Sequence, residues 1–449
     1  MDVGRHPNIE LLAYSEVEKV EGELGDFRVT VRKKARYVDE SKCTGCGECA
    51  EKCPTVVADP YNLGLGTGKA IYRYFAQGIP STYTINTDVC QQFQEGKKCG
   101  ICEKICQAKA IAYDQVDQVL EIKAGAIIVA TGYDLFDPLR IPEYGYERIP
   151  NVITALEFER FLSASGPTQG HVYRPSDLAL KKEFAEMEKS HAKLVKALGR
   201  SEKKFNQSSG EFIAKYESGE LEGKDYDKWA QRFKEHQELT PKFEALREKV
   251  ENIRPAEKLA FLQCVGSRDK RFNRHCSSFC CMHAIKEAII AKEHDEESEI
   301  YFFGMDIRAV GKGFEEYRNR GERNSGIQYI RSRVAEITRK PDDSPVVWYE
   351  ETLTQEVRKL PVDLVVLATA CEPSKGVKGL SEIVGVELNE FGFIKTDITH
   401  PLDTTRTGVF TCGCAQGPMD IPESVAQASS AAARAAQMIT ELEKMRQAS

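Results

Sequence analysis

The chain has little that would tie it to a membrane or to nucleic acid. Its most apolar runs, near Ile127 to Ala130 and Leu364 to Ala370, fall far short of the ~20 residues of a membrane-spanning helix. The residues after Met1 are polar, unlike the apolar core of a signal peptide. Positive charge is not in excess: 62 basic against 69 acidic residues leave a net charge of −7 with His neutral, which excludes a basic nucleic-acid footprint. Nowhere does a strand lead into a G-x-G-x-x-G turn. The nearest approach, Gly64-Leu-Gly-Thr-Gly68, lies between two cysteine runs without the strand-then-helix context of a phosphate loop. No residue reads as a general acid or base for substrate chemistry. These absences lead to the expectation of a cytoplasmic protein with no membrane span and no nucleic-acid partner. Its 449 residues are enough for two to four domains.

What the chain has is cysteine, 15 in all. Without signs of export, that number points to metal and redox chemistry rather than disulfide staples. Cys43, Cys46, Cys49 and Cys53-Pro54 form C-x2-C-x2-C-x3-C-P, the two-cluster ferredoxin pattern. Cys90, Cys99, Cys102 and Cys106 repeat it with the first cysteine displaced, as C-x8-C-x2-C-x3-C. Tight x2 spacing lets three sulfurs wrap one face of an iron–sulfur cube, and Gly45, Gly47 and Gly100 let the backbone turn closely there. In such ferredoxins the fourth cysteine of each run crosses to the other cluster. One [4Fe–4S] cluster is therefore expected on Cys43, Cys46, Cys49 and Cys106, and a second on Cys53, Cys90, Cys99 and Cys102. Zinc, the main alternative, normally uses two separated pairs.

Alternation predicts strands over 8–14 and 27–32. Residues 121–132 and 360–370 read as buried parallel strands, the first ending in Ala-Thr-Gly and the second in Ala-Thr-Ala. Small residues at the carboxyl end leave room for a ligand. Between them, residues 176–254 lack cysteine and are rich in Lys and Glu. Leu180, Phe184, Met187, His191, Leu194 and Leu198 make one apolar helical stripe, and Phe243, Leu246, Val250 and Ile253 another. A helical hairpin is expected, broken near Gly199 and 208–210, with a helix start at Thr240-Pro241. His191 and His236 read as incidental rather than as ligands.

A third constellation follows: Cys264 at the end of a strand, then Cys276, Cys280 and Cys281 opening a helix. Four thiols stand where a nicotinamide domain keeps its glycine-rich loop. The C-x11-C-x3-C-C spacing leaves a cluster, a redox-active Cys280–Cys281 pair and ordinary buried cysteines as alternatives. His275 and His283 read as packing or surface residues. After a strand at 408–412, Gly413 turns into a helix with Pro422 and Glu423 in its first turn, whose N–H groups could face a flavin edge. Cys371, Cys412 and Cys414 read as small site-lining residues.

Taken together, these motifs resemble the A-type subunit of heterodisulfide reductase, the iron–sulfur flavoprotein of methanogens, other anaerobic archaea and sulfate reducers. The resemblance runs from Val3-Gly-Arg-His-Pro-Asn to about Ala436. It is carried by the residues leading into Cys43, by Phe261 to Asp269, by Cys276-x3-Cys280-Cys281-Met282, and by Gly413-Cys414-Ala-Gln-Gly-Pro-Met-Asp-Ile-Pro-Glu-Ser-Val-Ala-Gln-Ala428. It implies an α/β fold with thioredoxin-reductase-like, split FAD- and NAD-type Rossmann domains. A two-cluster ferredoxin (α+β) domain and a helical hairpin are inserted. The expected units are 1–36 (FAD-type, first part), 37–115 (ferredoxin), 116–175 (FAD-type, continued), 176–254 (helical insertion), 255–355 (NAD-like) and 356–449 (FAD-type, closing part).

The resemblance further implies a third [4Fe–4S] cluster on Cys264, Cys276, Cys280 and Cys281. FAD in this family splits an electron pair between a high-potential and a low-potential acceptor. The implied partners are the other heterodisulfide reductase subunits, a hydrogenase or formate dehydrogenase module, and ferredoxin. The FAD fingerprint that precedes the Val3 segment in the family is not found here. The remaining ribityl and ring side would be Thr131, Gly132, Gly413, Cys414, Ala415, Gln416, Ile421, Ser424 and Val425. A truncated or split form is therefore expected, completed by a separate N-terminal FAD-binding fragment. A flavin-free polyferredoxin-like relay, and the flavoprotein of a quinone-interacting complex, are the alternatives.

Overall fold

The computed structural model describes residues 2–448. A meander opens the chain: β1 (Ser15–Glu21) pairs antiparallel with β2 (Phe27–Lys33). The strand expected over 8–14 is not one. Tyr14 takes a left-handed φ of +58°, and the ladder begins only at Ser15↔Lys33.

The cysteine-rich segment is inserted at the end of β2. It comprises α1 (Glu48–Glu51), the β3 (Val56–Ala58)–β4 (Thr67–Lys69) hairpin, the β5 (Ile71–Tyr72)–β6 (Thr84–Ile85) pair and α2 (Ile101–Ile105). The Gly64 stretch is simply the β3–β4 turn, with the Gly64 N–H on the Asp59 carbonyl. The two ends of the insertion run side by side: Val38 bridges Ile111, and the Ala35 N–H bonds Asp117. Both thus return to one place, and β7 (Gln118–Ala124) rejoins β2. The single buried parallel strand expected over 121–132 is really two. The β7 strand is antiparallel and half exposed, while β8 (Ile127–Val129) is a short parallel strand.

After β9 (Tyr133–Leu135) comes β10 (Val152–Thr154), whose Thr154 caps α3 (Ala155–Leu162) in a reciprocal box with Glu157. The helical insertion follows as α4 (Pro175–Phe205), α5 (Ser209–Glu217) and α6 (Lys224–Glu251). At 31 residues, α4 is about 46 Å long. Phe184 and His191 stack on Phe243, and Leu198, Phe212 and Trp229 close the far end. Two expectations fail here. Gly199 lies within α4, partly buried, where one glycine costs only ~1 kcal/mol. Pro241 lies inside α6; the Thr240 hydroxyl donates to the His236 carbonyl at 2.7 Å beside it, and packing on α4 carries the helix through.

The main core is a five-stranded parallel sheet. Its strands are β10, β11 (Lys258–Val265), β12 (Glu299–Gly304), β13 (Gln328–Arg331) and, arriving late in the chain, β17. Helices α3, α7 (Cys280–His294) and α8 (Phe314–Arg323) cover one face. The β14 (Val334–Arg339), β15 (Pro345–Glu351), β16 (Glu356–Pro361) meander covers the other. The late strand β17 (Leu364–Thr369) is buried throughout and inserts between β10 and β11. Both β10 and β17 were expected in flavin-type segments; they join β11–β13 in one parallel sheet, where β17, buried at every position, is covered on both faces. Next, β18 (Cys371–Pro373) pairs with β9, and α9 (Val377–Val384) packs on β1. Then β19 (Val409–Thr411) pairs parallel with β8, and α10 (Ile421–Ala448) runs over that pair, burying Ala431 and Ala435. Among the described residues no helix is long and apolar enough to cross a membrane.

Candidate metal centres and the adjoining cofactor surface

Glycine conformation shapes the ferredoxin insertion. Gly47 and Gly100 occupy matching places, each left-handed (φ +92° and +66°) just before α1 and α2. A side chain on Gly45 would stand 2.6 Å from the Ser81 carbonyl oxygen. These turns bring Cys43, Cys46 and Cys49 to one cavity, with Cys49 buried and Cys46 exposed. A cavity of about 310 Å³ is lined by those three thiols and by Cys106 from the second run, with Tyr83, Val38, Ala110 and Ile111 between them. The four sulfurs thus surround a space, walled elsewhere by these groups together with Thr44, Glu48 and Gln107. A lone zinc would instead draw its sulfurs to ~2.3 Å from one point. Among the described residues, no three His, Cys, Asp or Glu converge as a single-ion site.

The other four thiols gather nearby. Cys53 and Cys99 raise the proton affinity of the half-buried Cys90, and Cys90 adds to that of Cys102, though burial is the main cause in both. The Tyr113 hydroxyl lies 3.0 Å from Cys102 Sγ, and the Ala110 N–H donates to Cys106 Sγ at 3.3 Å. Such donors suit sulfur ligands carrying negative charge.

The third group sits at the carboxyl end of β11, where the sheet order switches between β12 and β17. The backbone there is contorted: Cys264, Arg268 and Ser278 all have φ between +53° and +60°. Cys264 and Cys276 reach the Cys280–Cys281 pair at the start of α7, and each thiol perturbs its neighbours. A hydrogen bond from Cys280 is the main reason that Cys281 is held at about 7, while Cys280 is pushed up. Ser278 N–H donates to Cys276 Sγ at 3.4 Å, and Arg268, paired with Asp306, stands 4.0 Å from Cys264 Sγ. Asp269 fixes the loop: Arg271 and Arg333 hold its carboxylate far below the usual range. Neither histidine turns toward a ligand role. His275 donates from Nε2 to the Cys371 carbonyl at 2.9 Å, and burial lowers His283 to about 4.

The expected flavin surface is open. Thr131, Ile421 and Val425 are exposed, Gly132, Gly413, Cys414, Gln416 and Ser424 partly so, and Ala415 is buried. The helix-start donors expected to face a flavin edge are largely taken. Asp420 and Glu423 cap each other reciprocally, Ser424 N–H bonds the Asp420 carbonyl, and Gly413 N–H bonds Gln427. Two features could not be foreseen from the sequence: the Arg268–Asp306 pair, which carries no motif, and the anchoring of Cys371 on Ser277 and His275 beside the third nest.

A ferredoxin-type insertion in a pyridine-nucleotide-type framework defines an iron–sulfur oxidoreductase chain. The 4Fe-4S binding domain family matches residues 36–58, and the pyridine nucleotide-disulphide oxidoreductase family matches 285–432. The chain is 39% identical over 436 residues to the A-type iron-sulfur subunit of the CoB–CoM heterodisulfide reductase of Methanocaldococcus jannaschii, covering 96% of this chain and 54% of that one. With the A-type subunit of the H2:CoB-CoM heterodisulfide,ferredoxin reductase of Methanothermobacter thermautotrophicus it shares 38% over 439 residues, 97% and 54% of the two chains. With a protein of Archaeoglobus profundus named as like the A-type subunit of heterodisulfide reductase it shares 38% over 464 residues, 98% and 58%. Over this span the chain is similar to the A-type, iron–sulfur subunits of heterodisulfide reductase, and it spans about half the length of the curated relatives it matches. Among solved structures it is similar to thioredoxin reductases of Lactococcus lactis (13% identity, TM-score 0.37, 86% of this chain and 95% of that one) and T. acidophilum (10%, 0.37, 86% and 93%).

Proposed function

We propose that this chain is an electron-relay subunit of a heterodisulfide reductase complex. In this reading it carries three [4Fe–4S] clusters: Cys43, Cys46, Cys49 and Cys106 hold the first, Cys53, Cys90, Cys99 and Cys102 the second, and Cys264, Cys276, Cys280 and Cys281 the third. FAD rests on Thr131, Gly132, 413–416, Ile421, Ser424 and Val425, and a further segment bearing the dinucleotide fingerprint completes its site over the β8–β19 edge. Flavin, when bound, exchanges electron pairs on one side and single electrons with clusters on the other.

One observation carries this reading. Cys371, just past β17, links the two sites: its backbone bonds Ser277 and His275 beside Cys276, and its strand pairs with β9, which directly follows Thr131 and Gly132 of the flavin surface. The chain's own residues partly enclose the first nest, donate N–H and O–H groups to sulfur, and hold Cys264 and Cys276 through the Asp269 loop. Other heterodisulfide reductase subunits, a hydrogenase or formate dehydrogenase module, and ferredoxin are the proposed partners, because similar subunits of Methanothermobacter thermautotrophicus and Methanococcus maripaludis are named for H2 and ferredoxin, the second also for formate. The exposed Ile128 on β8 supports cover by a further segment.

Iron, sulfide and flavin analysis of the anaerobically prepared chain tests the reading. About twelve irons per chain are expected, with flavin bound weakly until a fingerprint-bearing fragment is added. Stoichiometric, tight FAD in the lone chain refutes the incomplete site. Zinc in place of iron refutes the relay. An unchanged absence of flavin with the fragment present favours the flavin-free relay.

A further inference from the structure

We infer that the loops over the third nest are the docking surface for a small acidic redox protein. The carboxyl ends of β11, β12 and β13 present a basic rim around one exposed apolar residue. The inference rests on the relay reading for its purpose, though not for its geometry.

Three neighbouring parallel strands release basic side chains at the same edge of the sheet. After β11 come Arg268, Lys270 and Arg271, and after β12 come Arg308 and Lys312. Arg331 ends β13, and Arg333 follows it. Ion pairs tie the loops together: Arg268 to Asp306 joins the first to the second, and Arg333 to Asp269 joins the third to the first. The carboxylates paired with this rim are Asp269, Asp306 and Glu143, the last 3.8 Å from Arg271. Seven positive charges thus meet three negative ones. Counting α8 does not dilute the excess, since Arg318, Arg320 and Arg323 match its Glu315, Glu316 and Glu322. Lys270, Lys312 and Arg331 are exposed, and among the described residues none of the three makes an ion pair.

The rim borders the thiols directly. Arg268 Nη1 stands 4.0 Å from Cys264 Sγ, and Ile307 packs on the core cluster that contains Cys280 and Cys281. Cys264 and Cys276 are partly exposed, so a protein seated on these loops stands over the nest. Between Arg308 and Lys312, Val310 is 81% exposed. Protein interfaces commonly place apolar contact at the centre and charge at the rim.

Charge selects the occupant. The chain as a whole carries −7 and repels an acidic partner at a distance, whereas a local basic excess steers such a partner to one place. A membrane surface fits less well, because Val310 stands alone where insertion needs a whole apolar face. Single-stranded nucleic acid stacks its bases on exposed aromatic rings, whereas the tip here is aliphatic.

The test reads binding by fluorescence anisotropy under anaerobic conditions, with the iron-loaded chain and a labelled acidic bacterial ferredoxin. We expect affinity to fall as salt rises from about 0.05 to about 0.3 M. Lys270→Glu with Lys312→Glu should weaken binding about tenfold or more at low salt. Lys270→Gln with Lys312→Gln is the milder pair if reversal perturbs the loops, and should weaken it less. Val310→Asp should weaken it without removing a basic group. The control, Lys189→Glu with Lys196→Glu, makes the same change of charge on exposed positions of α4 and should bind as wild type does. Overturning results are no binding by wild type, equal weakening by reversal at either place, or tighter binding to phosphatidylglycerol vesicles or a single-stranded oligonucleotide than to ferredoxin. Iron analysis of the same samples separates the two readings. About twelve irons per chain without binding sinks the docking surface alone. About eight irons with rim-dependent binding sinks the third cluster alone.

Discussion

Gly266 is the position where backbone geometry and the third cysteine nest meet most directly. It follows β11 with φ +81°, and a Cβ there would lie 2.4 Å from two atoms of the Phe136 ring and 2.6 Å from a third. That ring cannot swing away: it is 1% exposed, edge-on to Phe272 at 5.1 Å and capped by the Arg140 guanidinium at 4.4 Å. Gly266→Ala therefore incurs about 1–2 kcal/mol for the left-handed backbone and about 1–3 kcal/mol for overpacking, together about 2–5 kcal/mol. At ~2–4 °C per kcal/mol for a unit of this size, the melting midpoint should fall by roughly 4–20 °C. The Gly266 carbonyl also accepts from the Asn273 N–H and side-chain amide, so its displacement separates Cys264 from Cys276. Iron should drop from about twelve to about eight per chain, with the ferredoxin-type clusters kept. Gly326→Ala is the control: it is equally left-handed at +65° with nothing within 4 Å, and should lose only about 1–2 kcal/mol and no iron. A Gly266→Ala chain with full iron and a midpoint no lower than that control would refute the argument.

The crossing of ligands in the ferredoxin insertion is open to a double-variant test: Cys43→Ala with Cys106→Ala should lose about four irons, whereas Cys43→Ala with Cys53→Ala should lose about eight, by iron analysis. Asp269→Asn should lower stability by about 1–3 kcal/mol at neutral pH, because two arginines keep a buried partner no longer charged. The Asp269 folded-state pKa is depressed by Arg271 first, so its contribution is full above the unfolded value near ~3.9 and fades as pH falls through the lower folded one. Urea midpoints of wild type and variant should therefore converge only below about pH 4. Trp229→Ala removes a fully buried ring stacked on Phe212 at 3.8 Å. It should cost about 3–5 kcal/mol, read by hydrogen exchange at the α4–α6 tip, with iron unchanged.

What could be read in advance follows the range of each interaction. Cysteine spacing acts over a few residues, so the first nest was legible down to the crossing Cys106, and Gly47 and Gly100 stand where tight turns were expected. The stripe on α4 was equally local, and Phe184 and His191 do face Phe243. Strand membership is not local. The apolar run 364–369 reads the same whether it closes a flavin domain or enters the middle of another sheet, and only its pairing with β10 and β11 decides. Proline at 241 reads as a helix start because the rule weighs one lost N–H, and the packing of a whole helix outweighs that loss. The flavin-side helix misled for a related reason: Asp420 and Glu423, three residues apart, use each other's donors before any ligand can.

The displacement of β17 has a functional consequence. Had it closed the flavin-type segment, Cys371 would lie remote from the third nest. Placed beside β11, its end stands level with Val265, across from Thr369, and the next two residues deliver Cys371 against the loop that carries Cys276. The β18–β9 pairing then turns the chain toward Tyr133 and the α10 start, where Cys414 waits. A strand order alone thus brings sulfur from three separate stretches, 264–281, 371 and 412–414, to one side of the sheet. Moving β17 out of register by one residue would turn Cys371 to the opposite face and separate the third nest from the cofactor surface. That register, rather than any single ligand, is what couples the two.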